Sequence, residues 1–525
     1  MITVVNFRPK FYSSGYNPII WSVTSDLAND NLIDYAYVFD VYVDGVKVNR
    51  IVQRPNPAFA GMIDVRPIVE PYLTIGTFAN ETGSIISQPF KVGATAVGAV
   101  YIYVGEQYRI NATDLNPTLF NGLGNEIGNQ GEPAFYLGAD GPEVMNSKPV
   151  IVLPSSLPWS QQQDTMQVVT DNLGDYFGLF GYLAPYVLKN NSIYAPTTCG
   201  GSGLFLSQMP RTVTGGTWQT TSAAPSFNFT ANDYIYDRHT VTFLNRNPVY
   251  QYGGQLQSSS PKVAWFEFYS ATGDNIGEYS IPNYTAVGGA PRIFCNGSIS
   301  TFSTSINQEF LSLRIGPKDL DELDVWDDLG EIPAYYTVQL FANLTVDGSC
   351  NYTGAPSNPL SELVTINITE DCTSYLYPRV RLCWLNQLGG RDYWNFTMFA
   401  EEKIDTQSQE YYQTEMNWSA LTPVKLTTPV QDTTDNWLRG GTRDYNKSVN
   451  TTYTITTDWL LQEEVELIKN ALQSSQVWAY IGQEDFPYTA NIKETSYTVK
   501  TIKQIKMYTV TFNVEFSTEQ TMQTT

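Results

Sequence analysis

In 525 residues only one stretch carries a sustained helical period, from Asp458 to about Gln473, where Leu461, Val465, Ile468 and Leu472 recur on one face. Most of the chain must therefore fold as strands and loops. Thr457 or Asp458 is placed to cap the first turn, and Glu463 and Glu464 suit the positive end of the helix dipole. Ser474-Ser475 ends the helix and Val477–Ile481 resumes as a strand. Strands over Ala490 to Val499 and Ile505 to Phe516 follow. In the last, Tyr508, Val510, Phe512, Val514 and Phe516 alternate with Thr509, Thr511, Asn513 and Glu515, which leaves one face apolar and one wet. This reads as antiparallel sheet with a helix against it.

The rest of the chain is punctuated into short runs by 38 Gly and 29 Pro, and its 35 Tyr, 25 Phe and 11 Trp, with abundant Thr and Val, favour strands. The expected fold is mainly β, with several antiparallel β-sandwich domains and one prominent α-helix, 458–473, packed on a sheet in the C-terminal module. Five segments are expected: an N-terminal β-sandwich over 1–110, a loop-rich connector over 111–165, central β domains over 166–302 and 303–375, and the C-terminal module over 376–525.

Along the first segment, alternating residues over Tyr35–Val43, the Asp44-Gly45 turn signal and the returning Val46–Arg50 predict a hairpin. A Pro-bounded run before Tyr72 predicts a short helical turn, and Val97 to Ile110 a further strand. In the connector, the glycine cluster over Gly122–Gly131 has neither Gly-Lys-Ser/Thr nor a following helix, which argues against a phosphate loop. Strands are expected over Asp237–Asn245, Val263–Tyr269, Glu278–Ile281, Pro333–Phe341 and Leu363–Thr369.

The net charge of −22, with acids scattered along the chain, works against any partner bound through phosphates, so neither nucleic acid nor an anionic membrane is expected as a partner. The start lacks a charged region followed by an apolar one, and no stretch approaches the ~20 apolar residues of a membrane-spanning helix. The expectation is a chain made in a cytosol. Thirteen Asn-x-Ser/Thr sequons, Asn111 and Asn450 among them, are read as the chance product of an Asn-, Ser- and Thr-rich chain. Five dispersed cysteines form no Cys-x-x-Cys pair and His239 is the only histidine, so no zinc site, cofactor or catalytic residue is assigned. His239 beside Asp237 is the one place where a catalytic dyad can be drawn, and a structural histidine is preferred there. The acidic run Lys318–Glu331 does not match the calcium loop of an EF-hand and is read as a solvated acidic turn.

The block Trp384-Leu-Asn-Gln-Leu-Gly-Gly-Arg-Asp-Tyr-Trp-Asn-Phe396, the Trp459-Leu-Leu-Gln-Glu-Glu helix start, the Ser475-Gln-Val-Trp478 strand start and the opening Tyr16–Trp21, Tyr37–Val43 and Gly61–Asp64 runs together resemble a pattern of virion proteins from tailed bacteriophages that infect Bacteroidota. The resemblance covers the two ends, about 200 residues, and leaves the middle unassigned. It implies a structural particle component, most directly a tail, baseplate or neck ring protein that acts through subunit–subunit contacts. Its partners would be further copies of itself and other virion proteins, and its place the virion, assembled in the host cytoplasm. Trp384, Tyr393, Trp394, Trp459 and Trp478 are the candidate assembly contacts. Two alternatives stay open: a receptor-binding or tail-fibre protein that stacks aromatics on host surface glycans, and a virion glycan hydrolase working through two carboxylates.

Overall fold

The computed structural model describes residues 2–9, 12–30, 32–73, 90–92, 97–121, 126–127, 150–158, 166–168, 181–186, 188, 203–214, 226–244, 263–282, 310–343, 356–369, 379–413, 441–482, 487–493, 498–502, 507–516 and 520–522. Most of the glycine cluster over Gly122–Gly131, four of the five cysteines and part of the strand expected over Ala490–Val499 lie outside them. The fold is mainly β, with several antiparallel sheets and a helix that lies near a sheet. The chain divides into two compact units: Met1–Cys372 with Cys383–Tyr393 and Glu466–Ser474, and Thr373–Leu382 with Trp394–Val465 and Ser475–Thr525.

In the first unit, a four-stranded sheet runs Met166–Val168, Ile2–Pro9, Ile20–Ser25, Ala60–Asp64. A second sheet is centred on Val97–Tyr108, which pairs with Ala36–Val43, Thr118–Asn121 and Val150–Leu153. Trp21, Val23 and Ile63 from the first sheet join Tyr37, Phe39, Val100 and Val152 from the second in one buried cluster. Gly61 is required there, since a Cβ would lie 2.6 Å from the Tyr37 ring. The expected hairpin is present: Ala36–Val43 pairs with Val46–Gln53, and Asp44 and Gly45 take φ of 49° and 82°, the two positive values that a tight two-residue turn needs. The helical turn before Tyr72 is also found, as Arg66–Val69 and Glu70–Tyr72.

A third sheet in the same unit runs Arg211–Thr214, Ser226–Tyr234, Leu363–Thr369, Tyr335–Asn343, Val263–Tyr269, Asn275–Pro282, and so crosses the 302/303 boundary drawn from the sequence. Ser226–Tyr234 and Leu363–Thr369 pair in parallel. A small sheet of Thr240–Leu244, Phe310–Arg314 and Phe90–Val92 accompanies it. Two readings are corrected here. The strand expected from Asp237 begins only at Thr240, because the Asp237 carboxylate accepts the Tyr234 N–H at 2.8 Å and holds a turn. The acidic run is helical and not a turn: it forms the short helices Pro317–Asp321 and Val325–Leu329, which bury Asp319, Leu320 and Trp326, while Asp321, Asp324, Asp327, Asp328 and Glu331 are solvated as expected.

In the second unit, Val477–Ile481, Tyr488–Ile492, Met507–Phe516, Gly441–Thr456 and Phe399–Gln413 follow one another in a sheet, with Thr498–Ile502 and Gln520–Met522 at its margins. The alternation expected over the last long strand is present: Val510, Phe512 and Val514 are fully buried, whereas Thr511 is exposed and Asn513 half-buried. Phe396 meets Phe512 edge-on at 5.3 Å, and Tyr453 meets Phe516 at the same distance.

The helix spans Gln462–Gln473 and not 458–473. Leu460 still pairs with Tyr508 in an extended bridge, so the chain cannot turn helical before it. Thr457 accepts the Val510 N–H through its hydroxyl, and Asp458 accepts the Trp459 N–H, so neither caps the helix. Glu464 does the capping by reaching back to the Leu461 N–H at 2.7 Å. Leu461 is consequently exposed, and the buried helix residues are Val465, Leu467, Ile468 and Ala471.

Candidate functional site

Phe399–Gln413 and Gly441–Thr456 contain no proline, and glycine only at Gly441, their very end; Thr, Tyr, Val and Ile recur through the second, and Ile404, Thr406, Tyr411 and Tyr412 stand among Glu, Gln and Lys in the first. That composition lets two strands run long without interruption. They pair from Phe399↔Thr456 to Gln413↔Gly441 with one irregularity at Gln409/Glu410, a ribbon about 50 Å long at ~3.4 Å per residue. Gly441–Thr456 also joins other strands over its second half: Thr452–Thr456 pairs with Met507–Phe516, where Tyr453 and Ile455 are buried, and Lys447–Val449, opposite Thr406–Ser408, pairs with Gln520–Met522. Every residue from Glu401 to Tyr412 is exposed. Ile404, Tyr411 and Tyr412 among them present large apolar surface to solvent. Among the described residues the strand Phe399–Gln413 is last in the sheet order, so its outer backbone edge faces no other described strand of that sheet.

The five aromatic residues assigned as assembly contacts are not gathered at one surface. Trp384 is fully buried, Tyr393 and Trp478 are buried, and Trp394 is half-buried. Trp459 alone stands well exposed, at 48%. The ribbon itself was missed in the sequence; two long runs free of internal proline and glycine, the second of them Thr-rich, were the signal that could have found it.

The polar groups buried in the first unit serve to fix loops. His239 Nδ1 lies 2.8 Å from Asp233 Oδ2, not against Asp237, and its ring packs 4.6 Å from that of Tyr393. Arg238 pairs with both Asp319 and Glu322, so the acidic run is held by a cation of the protein itself. Burial pushes the Asp319 carboxyl up, and Arg314 and Arg238 oppose that. Asp392 accepts from the Ser207 hydroxyl at 2.5 Å, the Gln208 N–H at 3.0 Å and the Asn386 amide at 2.9 Å. Burial pushes this carboxyl up too, against those three donors. Asn386 also donates to the Leu206 carbonyl, and Gly390 sits so close that a Cβ would lie 1.8 Å from that oxygen. Arg211 grips the same loop: it pairs with Glu362 at 2.8 Å and donates to the Ser207 and Phe205 carbonyls. Among the described residues no group of three or more His, Cys, Asp or Glu could hold a metal ion. No helix among them is long and apolar enough to cross a membrane.

No protein-family model matches the chain, and no curated protein matches it either.

Proposed function

We propose that the chain is a structural subunit of a tailed-bacteriophage virion, a tail, baseplate or neck ring protein that works through contacts with other copies of itself and with other virion proteins. The observation that carries this reading is the ribbon. Its outer strand is exposed over a dozen successive residues, which point alternately to both faces, and such a strand gains burial only when another surface covers it. The sequence resemblance of the two ends to phage virion proteins points to the same class.

The test is the mass of the purified chain in solution together with negative-stain images of the same sample. A closed ring of many copies is the expected result. An elongated trimer would favour a glycan-binding fibre, for which exposed Tyr411 and Tyr412 offer faces suited to stacking on sugars. A monomer at every concentration would overturn the self-assembling reading.

A further inference from the structure

The short loop that joins Val46–Gln53 to Ala60–Asp64 is held unusually firmly for a surface connection. Its two legs are tied by Met62 N–H to Gln53 Oε1 at 3.1 Å and by Asn56 N–H to the Ala60 carbonyl at 2.9 Å. The Asn56 carboxamide oxygen takes the N–H groups of Ala58 and Ala60, Pro55 and Pro57 stiffen the tip, and Tyr37 donates its hydroxyl to the Phe59 carbonyl at 2.8 Å. All this holds Phe59 at φ 60°, a left-handed conformation that costs a bulky residue of order 1 kcal/mol or more. The ring is not rewarded within the chain, since Phe59 is 47% exposed, as is Met62. Arg54 is exposed on the same loop. Lys47 and Arg50 nearby are paired with Asp40, which leaves Arg54 as the exposed cation of the loop itself.

A patch of opposite character lies at the start of the long helix. Leu460 is buried in its bridge to Tyr508, and its neighbours Trp459 and Leu461 are turned outward, 48% and 60% exposed. Asp458 and Glu463 are exposed beside them, and no Lys or Arg occurs from Ser448 to Ile468. One patch is apolar with a basic rim and the other apolar with an acidic rim.

We propose that these two patches meet between copies: the Trp459/Leu461 corner of one copy seats on the Phe59/Met62 loop of the next, with Arg54 facing Asp458 and Glu463. The occupant is a second copy because this chain itself supplies a second exposed apolar patch of the opposite charge. Two different patches of one chain make a heterologous contact, which propagates head to tail and closes into a ring when the rotation permits. The four large side chains form the desolvated centre, and the charges at the rim set orientation. The contact rests on the self-assembling reading above.

The experiment compares the full chain with Phe59→Ala, Trp459→Ala, Arg54→Glu, Glu463→Arg and the double variant Arg54→Glu/Glu463→Arg by light scattering over a concentration series, with circular dichroism confirming that each is folded. The expected result is self-association weakened tenfold or more by each aromatic truncation, weakened by each single charge reversal and restored to within about threefold of the parent by the double reversal. A parent that assembles and variants that assemble equally well would overturn this contact while leaving the self-assembling reading in place. A double variant no better than the singles would overturn the charge pairing and with it the contact. A parent that stays monomeric would overturn both.

Discussion

Asp40 lies on the strand Ala36–Val43 with its carboxylate fully covered, and two cations reach it: Arg50 Nε at 2.6 Å and Lys47 Nζ at 2.9 Å. Burial alone would raise its pKa, but the hydrogen bonds and charges of Arg50 and Lys47 outweigh that and leave it below the ordinary carboxylate value. A carboxylate depressed in the folded state stabilises the fold fully above its unfolded pKa of about 4, and loses that contribution as pH falls through the folded value. Asp40→Asn is expected to lower stability at pH 7 by about 2 kcal/mol, discounted because both cations are partly exposed. It should also flatten the acid limb, so that urea unfolding of the parent and variant converges below about pH 4. No pattern in the sequence marks Asp40 as buried, because an acid in an alternating strand reads as the wet face. The same blindness applies to Asp392 and Asp319: Ser207 and Arg238, which donate to them, lie 185 and 81 residues away, and sequence spacing cannot bring them together.

Elements with an intact local period were legible. The hairpin at Asp44-Gly45 and the alternation over Met507–Phe516 are decided by neighbours two residues apart, and both are found. The helix start was not, because its limit is set by the bridge from Leu460 to Tyr508, a partner almost fifty residues on. The difference is measurable. Ile468→Ala removes a fully buried side chain and is expected to cost about 3 kcal/mol in chemical denaturation, whereas Leu461→Ala should stay within about 0.5 kcal/mol although both sit on the face first read as buried. The ribbon was illegible for another reason: its residues have strand propensity without a face that announces burial. Hydrogen exchange should separate its two ends. Amides at Tyr453 and Ile455, where the base is anchored, should exchange slowly in the free chain, and those from Gln409 to Tyr412, at the far end, fast, gaining protection of tenfold or more on assembly.

For the molecule as a whole, the mainly β class followed from composition and punctuation, whereas the grouping of strands did not. Sheets here collect strands from distant parts of the chain, and Glu466–Ser474 belongs to the same compact unit as Met1–Cys372. If exposed surfaces are completed by neighbours, stability becomes a matter of mass action: the unfolding midpoint should rise as protein concentration rises over two decades, checked by scanning calorimetry at matched scan rates. A midpoint independent of concentration would count against assembly under those conditions.

The parallel pairing of Ser226–Tyr234 with Leu363–Thr369 joins residues such as Asn232 and Asn367 that are 135 positions apart. On the ribosome that separation is a delay. At about 5–20 residues per second the earlier strand waits roughly 7–27 s for its neighbour to be made, with Arg211–Thr214 closing only one of its sides meanwhile. A strand left with one edge unpaired for that long makes translation speed and early chaperone contact determinants of how much of this protein reaches its folded form.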